Sequence, residues 1–466
     1  MRKKSPPLKS IHRLTIYRPL VICMTIVLFS ATLTAVGQSA PQGQAAQDPA
    51  AEVISKITKV KGVQFVSAAL TQPPSNDFCR TNFGINCYSP QEIRNAYGLA
   101  PLVNAGFIGA GQTIIIIDSF GSPTIAQDLH NFDVGYGLPD PPSLTVLAPL
   151  GTVPFDPTDG GQVGWAFETT LDVEWAHAMA PGANIVLLTS PVNETEGVQG
   201  MPEFLALEKY ALDHHLGKII SQSWGTTEND LFNPAGLEVI KNFQDFYFRA
   251  AAEGVTVLAA TGDTGSTNFQ LDGATLFSVP VVVFPASSPL VTAVGGTSLQ
   301  ADANGNYQAE TVWNNGGASG GGISQFFDEP FYQFTLTKAD QALLKKHRGI
   351  PDLAFEADPV LIYVGFFPNP NNAGFFFING TSLSSPGWAG AIADVNQLAG
   401  HSLGFLNPKL YLLGLLGDQS DFFHDVTVGN NSFAGVPGFT ATPGWDPATG
   451  WGSPNLGKLA RELAKH

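Results

Sequence analysis

The chain has 466 residues and is acidic, with 39 Asp and Glu against 23 Lys and Arg and a formal net charge of −16 at pH 7. Six of the positive charges lie within the first 18 residues, so the rest of the chain carries a formal charge of −22. Such acidity argues against nucleic acids and anionic membranes as binding partners.

The N-terminal segment has the pattern of an export signal. Its basic flank precedes an apolar run from Leu20 to Val36 that contains no charged residue, and small residues follow at Gly37 and Ala40. This pattern predicts a signal peptide over residues 1–37, cleaved near Gly37, and a secreted protein with no stable membrane association after cleavage. An uncleaved membrane anchor is the alternative, because the run approaches the length that spans a bilayer.

Residues 38–78 are rich in Ala, Gln and Pro and are predicted to form a short leader or linker, with one possible strand at Gly62–Ala69. Residues 79–466 are predicted to form one continuous domain. Its two cysteines, Cys79 and Cys87, are expected to form a small disulfide loop in an oxidising compartment. Metal binding is the alternative, but two cysteines with no nearby histidine cannot complete a zinc site.

Apolar runs alternate with helical patterns along the first half of this domain. The runs predict buried parallel strands, although the last is short and lies between two prolines. They are Thr113–Asp118, Ala183–Thr189, Lys218–Ser223, Val255–Ala260 and Val281–Phe284. The helical patterns are Gly164–Met179, Pro202–His215 and Pro234–Glu253. The alternation predicts an α/β fold with a parallel sheet, helices on both faces and functional residues at the carboxyl ends of the strands.

The segment Gly380-Thr381-Ser382-Leu383-Ser384-Ser385-Pro386 places a serine on a turn that follows a glycine and precedes a helix. A nucleophile at the start of a helix lies beside backbone N–H groups that can receive an oxyanion. The alternative is that Ser382 only caps this helix.

Two carboxylates, Glu168 and Asp172, lie at positions i and i+4 of a predicted helix, about 40° apart around its axis. They flank the apolar stripe formed by Leu171, Trp175 and Ala178. Partial burial and mutual repulsion should raise at least one pKa, and a carboxylate pair that shares a proton suits a general base working in acid. An ordinary solvated pair near a helix N-terminus is the alternative.

A third acid, Asp263, follows an apolar strand on a glycine-rich turn. When protonated it could donate a hydrogen bond to a developing oxyanion, and the alternative is an Asx-turn residue. The chain has no His-Gly-Thr-His segment, and His177 lies about 180° around the helix from Glu168. A histidine-dependent mechanism is therefore disfavoured.

Taken together, these segments resemble the sedolisin family of serine-carboxyl peptidases, which have a subtilisin-like fold. The resemblance covers roughly residues 85–466. Further segments that resemble the family in its order are 221–225, 291–297, 318–324 and 349–352. The resemblance implies an α/β domain with a subtilisin-like parallel sheet and helices on both faces.

The same resemblance implies the roles of the site residues. Ser382 would be the nucleophile, Glu168 its general base and acid, Asp172 the residue that orients Glu168, and Asp263 the oxyanion-stabilising aspartate. Asp118 resembles the triad aspartate of subtilisins, a role that sedolisins move to the position of Asp172, and is placed outside the core triad.

The resemblance also implies one structural Ca²⁺ near the C-terminus. Asp425 and Asp446 would bind it through carboxylates, and Val426, Thr442 and Gly444 through backbone carbonyls, all hard oxygen ligands. Sedolisins usually have glycine in place of Thr442, where a left-handed conformation would be costly for a β-branched residue. A pair of ordinary turn aspartates is the alternative.

The sequence thus predicts a secreted, monomeric, acid-active serine-carboxyl peptidase that acts on polypeptides. A catalytically silent sedolisin-like binding protein is the rival, although all four catalytic positions are present. Endopeptidase and tripeptidyl-peptidase action are not distinguished. Sedolisins usually carry a large folded propeptide, and here about forty residues separate signal and domain, so we expect the domain to fold without a separate prodomain.

Overall fold

The computed structural model describes residues 64–67, 72–416 and 422–465. The predicted signal peptide, its cleavage site and most of the leader lie outside these residues. Within the described ranges, none of the helices has the length and apolarity needed to cross a bilayer.

The strands alternate with helices through the first half of the chain and are short towards its end. Those that form the main sheet and its surroundings are β1 (Gln64–Ser67), β2 (Thr113–Ser119), β3 (Leu144–Leu147), β4 (Asn184–Ser190), β5 (Ile219–Gln222), β6 (Thr226–Thr227), β7 (Thr256–Ala260), β8 (Val283–Phe284) and β9 (Thr292–Ala301). They are followed by β10 (Tyr307–Val312), β11 (Gly322–Asp328), β12 (His347–Ile350), β13 (Leu353–Glu356), β14 (Val360–Val364), β15 (Gly374–Ile378), β16 (Phe423–His424) and β17 (Ser453–Pro454).

The helices differ in length, and the longest pack on the main sheet. In chain order they are α1 (Asn76–Phe83), α2 (Pro90–Ala96), α3 (Ala100–Asn104), α4 (Ile125–Tyr136), α5 (Gly160–Met179), α6 (Met201–Asp213), α7 (Pro234–Ala252), α8 (Lys338–Leu344), α9 (Thr381–Ala399), α10 (Asn407–Leu416) and α11 (Leu456–Leu463). Short 3₁₀ turns lie at Glu228–Leu231, Phe331–Gln333 and Pro370–Asn372.

The main sheet has eight strands in the order β10-β9-β7-β5-β2-β4-β3, with β13 also paired to β9. The pairings are parallel except that of the edge strand β10 with β9, which is antiparallel. The predicted α/β class and mostly parallel sheet are confirmed.

Two hydrophobic cores lie on opposite faces of this sheet, because successive side chains of a strand point to opposite faces. In β2, Ile114 and Ile116 belong to the core that also contains residues of α5 and α9. Ile115 and Ile117 belong to the other core, with residues of α6 and α7. Helices therefore cover both faces, as predicted.

The first four predicted strands agree with β2, β4, β5 and β7 to within one or two residues, but the fifth prediction was wrong. Only Val283–Phe284 is a strand, and it pairs antiparallel with Thr226–Thr227 outside the main sheet. Pro280 and Pro285 flank this segment, and proline has no N–H to donate to a central ladder. The sheet position beside β7 is taken by β9 instead.

The N-terminal part of the domain is held by a disulfide and a strand pairing. Cys79 and Cys87 form the predicted disulfide. The possible strand predicted at Gly62–Ala69 is present at Gln64–Ser67, where its backbone pairs antiparallel with β15. The side chains of Phe375, Phe376 and Phe377 in β15 are buried, so these phenylalanines form a core strand.

Candidate active site

Helix α5 carries the two predicted acids into the centre of the domain. Its N-cap is Asp159, whose side chain accepts hydrogen bonds from the N–H groups of Gly161 and Gln162. One face of the helix packs into the core, so Asp172 is fully buried, whereas Glu168 reaches the wall of a cleft.

Ser382 is the second residue of α9 and lies in the first turn of this helix. Its hydroxyl faces the Glu168 carboxyl group closely enough to lower the pKa of that group. The N-cap residue is Gly380, which makes no side-chain cap, so the interpretation of Ser382 as a simple helix cap is wrong. The serine instead pairs with an acid on a different helix.

The turn before Ser382 is built around Asp263, which follows β7. Its Oδ1 accepts hydrogen bonds from Thr381 N (2.8 Å) and Thr381 Oγ1 (2.9 Å). Gly380 has φ 140°, and a Cβ on it would lie 2.6 Å from Asp263 Oδ2. Only glycine therefore lets the turn approach this carboxylate so closely.

Asp172 is linked to the opposite edge of the cleft through Ser223. Ser223 Oγ donates to Asp172 Oδ1 (2.7 Å) and lies 3.4 Å from the carbonyl oxygen of Ser382. The segment 221–225 was among those that resemble the family, but the contact of Ser223 with Asp172 had no sequence signal. The residues meet because α9 packs against both α5 and β5, the strand that Ser223 follows.

Three carboxylates of this site influence one another's titration. Burial raises the pKa of Glu168 to about 8, the hydrogen bond from Ser382 lowers it in part, and the charges of Asp118 and Asp263 raise it further. Burial also raises the pKa of Asp172 well above its usual range, with repulsion from Asp118 and Glu168 adding to it. Burial raises the pKa of Asp118 to about 7. Asp118 thus belongs to the electrostatic environment of the site.

These side chains border a cleft with a volume of about 430 Å³. Glu168, Asp263 and Ser382 line it, and Asp172 lies behind Glu168. Among the described residues that line the cleft there is no histidine. His177 is buried elsewhere, with Nε2 2.9 Å from Pro139 O and 3.2 Å from Asp133 Oδ1, so it is not available to Ser382.

The predicted calcium ligands also come together, in a loop near the C-terminus. Gly444 N donates to Asp425 Oδ2 (3.0 Å) and Thr442 N donates to Asp446 Oδ2 (2.9 Å). Thr442 keeps a negative φ, whereas Gly444 has φ 92°, so the threonine is not strained. Asp425 Oδ1 is buried without a hydrogen-bond partner, which fits an oxygen ligand for a hard cation. Val426 follows Asp425 and is buried beside it.

The sequence profile of the subtilase family matches residues 162–408, more than half of the chain. A solved structure of Pseudomonas sedolisin, a serine-carboxyl proteinase complexed with two molecules of pseudo-iodotyrostatin, superposes with a TM-score of 0.65 at 30% identity, covering 80% of this chain and 97% of that one. The chain belongs to the sedolisin family. This membership and the subtilisin-like fold confirm the resemblance seen in the sequence.

Two curated sedolisin-family relatives show the same similarity over most of the chain. Kumamolisin of Bacillus sp. (strain MN-32) is 37% identical over 74% of this chain and 58% of its own length. Sedolisin of Pseudomonas sp. (strain 101) is 31% identical over 80% of this chain and 60% of its own length. The chain thus spans about three fifths of the length of these relatives.

Proposed function

We propose that this sedolisin-family protein is a serine-carboxyl peptidase that hydrolyses peptide bonds of polypeptides. The observation that carries the proposal is that Ser382 and Glu168 face each other in one cleft, which no histidine lines among the described residues. A serine hydroxyl is a weak nucleophile unless an adjacent base takes its proton. Here a carboxylate is in place to do so.

In the proposed reaction, Ser382 Oγ attacks the carbonyl carbon of the peptide bond as Glu168 accepts its proton. The developing oxyanion would lie near the start of α9 and receive a hydrogen bond from the protonated carboxyl of Asp263. Glu168 then returns the proton to the leaving amine as the C–N bond breaks, which leaves an acyl-serine. Water, deprotonated by Glu168, hydrolyses this ester and Ser382 regains its proton.

Asp172 and Asp118 support Glu168 without contacting the peptide. Burial raises the pKa of Asp118 to about 7 and that of Asp172 well above its usual range, so both acids are protonated in acid and place no negative charge beside Glu168. Protonation of Asp118 and Asp263 in acid also removes two repulsions that raise the pKa of Glu168. Glu168 therefore ionises more readily when its acidic neighbours are protonated.

We expect this activity to be greatest in acid. Asp263 must carry a proton to stabilise the oxyanion, and an ionised Asp263 would repel it, so hydrolysis should decline towards neutral and alkaline pH. The measurement is the pH profile of kcat/KM for an internally quenched peptide. A maximum in the alkaline range would contradict the carboxyl mechanism. Mass spectrometry of the products of a peptide library would distinguish endopeptidase from tripeptidyl-peptidase action.

We propose in addition that Asp425, Val426, Thr442, Gly444 and Asp446 bind one structural Ca²⁺. The ion would stabilise the folded chain by mass action, by about 2.7 kcal/mol at a free concentration of 100 times Kd. We expect the Tm to rise by a few degrees with added Ca²⁺ and to fall with a chelator. Asp425→Asn should reduce this response, and the surface variant Asp245→Asn should keep it. An unchanged Tm with no bound metal would exclude the site.

Secretion and a monomeric state remain part of the proposal. The Cys79–Cys87 disulfide supports export, because such bonds persist in oxidising compartments.

A further inference from the structure

Two further carboxylates, Glu194 and Glu196, line the cleft that contains Ser382. They belong to the loop between β4 and α6. Neither was identified in the sequence, because an acidic surface loop there has no distinguishing pattern. They lie outside the proposed catalytic cluster.

The loop that carries these acids is held in place on both sides. Ser119 Oγ donates to Val192 O (2.8 Å) and accepts from Glu194 N (3.0 Å). Trp165 Nε1, on α5, donates to Asn193 Oδ1 (2.8 Å). At the end of the loop Gly200 has φ 83°, and a Cβ there would lie 2.6 Å from Glu194 Cα. The position of the acids is therefore set by the fold.

The two carboxylates have only neutral neighbours as hydrogen-bond donors. Glu196 Oε2 accepts from Thr227 N (2.9 Å) and Thr226 Oγ1 (3.1 Å), and its Oε1 accepts from Asn268 Nδ2 (3.2 Å). Glu194 Oε1 is buried and has no hydrogen-bond partner. Asp230 adds a further negative charge near Glu196.

The lining of the cleft does not supply a positive charge to these acids in the part of the chain that the structure describes. Among the described residues that line the cleft there is no Lys, Arg or His. A buried carboxylate without a cationic partner is costly, so burial raises the pKa of Glu194 well above its usual range and that of Glu196 to about 7. A ligand that brings a positive charge favours the ionised acids and gains both a Coulombic and a hydrogen-bonding interaction.

We propose that Glu194 and Glu196 form a cation-binding subsite that receives an ammonium or guanidinium group of the peptide substrate. The group would come from a Lys or Arg side chain or from the free amino terminus of the peptide. This assignment rests on the proposed peptidase function for the identity of the ligand as a peptide. It makes the cleft selective for basic substrates.

Binding is measured with Ser382→Ala at about pH 7, so that the result does not depend on turnover and Glu196, whose pKa burial raises to about 7, can ionise. One set of amino-terminally acetylated peptides carries Lys at each position in turn, or the uncharged norleucine in its place. A second, neutral peptide is compared with a free and an acetylated amino terminus. We expect the best-placed cation to lower Kd about 10- to 100-fold relative to its neutral counterpart. In Ser382→Ala combined with Glu194→Gln or with Glu196→Gln, the preference should fall to about twofold or less.

The matched control is Glu238→Gln in the same background, since Glu238 is an exposed acid on α7. It should retain the full preference. A preference for internal Lys identifies a basic side chain as the ligand, and a preference for the free terminus identifies the terminal ammonium; both support the subsite. Equal Kd values for charged and neutral peptides in Ser382→Ala overturn it, whether or not the Gln variants fold.

Failure of the subsite and failure of the proposed function give different results. If the unmodified protein cleaves neutral peptides and binds no cation selectively, the peptidase assignment stands and the subsite is excluded. If it cleaves no peptide but Ser382→Ala keeps the cation preference, the subsite stands and the catalytic proposal fails.

Discussion

Replacing Ser382 by alanine should lower kcat by about 10⁴-fold or more, and Glu168→Gln should have an effect of similar size. The reason is that the proposed nucleophile and its base act as one unit, since the two side chains face each other in the cleft. The double variant should for the same reason be scarcely less active than either single one. The measurement is kcat for an internally quenched peptide at acid pH.

The control for this experiment is Ser143→Ala, an exposed serine outside the cleft, which should keep full activity. Circular dichroism and Tm establish that each variant is folded. Full activity of Ser382→Ala would dismiss the serine as nucleophile. If the fold-reduction in kcat of the double variant equals the product of the two single reductions, Glu168 and Ser382 act independently and not as one unit.

Lowering the pH from about 8 to about 4 should stabilise the folded protein. Several carboxylates have pKa values that burial raises to between about 6 and about 8; they are Asp118, Asp128, Glu168, Glu196 and Asp358. In the unfolded chain the same groups titrate at about 4. Between these values the folded protein holds more protons than the unfolded one, so the free energy of unfolding decreases as pH rises.

The size of this effect is estimated from Asp118 and Asp128, which are at most 1% exposed. Each changes the free energy of unfolding by about 1.4 kcal/mol per pH unit within the window. We expect the Tm to fall by about 5–10 °C between pH 5 and pH 8. The measurement is a series of thermal melts, followed by calorimetry at the two extremes.

Replacing Asp128 tests whether buried carboxylates cause the pH dependence of the free energy of unfolding. It is buried on α4, where its Oδ2 accepts a hydrogen bond from Thr124 Oγ1 (2.6 Å), and it does not line the cleft. Asp128→Asn should make the pH dependence shallower, whereas Asp245→Asn on the exposed side of α7 should leave it unchanged. A Tm that rises with pH across this window would contradict the account.

The same physical feature connects stability and catalysis in the proposed enzyme. Burial makes a charged carboxylate costly, so the domain tolerates its interior acids best when they are protonated. The oxyanion role proposed for Asp263 also needs a proton. In acid, buried carboxyl groups are therefore compatible with both the stability of the fold and the proposed oxyanion role, whereas at neutral pH their ionisation would oppose both.

Local patterns in the sequence were sufficient to predict the main strands and helices of the fold and to single out the candidate catalytic residues. The apolar runs around Ile114–Ile117 predicted the central strands, because a strand buried on both faces needs apolar side chains at every position. The spacing of Glu168 and Asp172 placed both acids on one helix, and the glycine before Thr381 marked the turn that presents Ser382. Each of these signals depends on residues a few positions apart.

Other features depend on contacts between distant segments, and only the tertiary structure decided them. Ser223 meets Asp172 across 51 positions, and Thr381 meets Asp263 across 118. The sheet position beside β7 goes to β9 and not to Val281–Phe284, since a strand's place depends on which partner can complete its hydrogen bonds. Burial raises the pKa of Asp118, and it leaves Glu194 Oε1 without a partner, through neighbours that no local pattern specifies. Local sequence patterns thus predict the strands, the helices and the candidate residues, whereas the pKa values and the hydrogen-bond partners of those residues depend on tertiary packing.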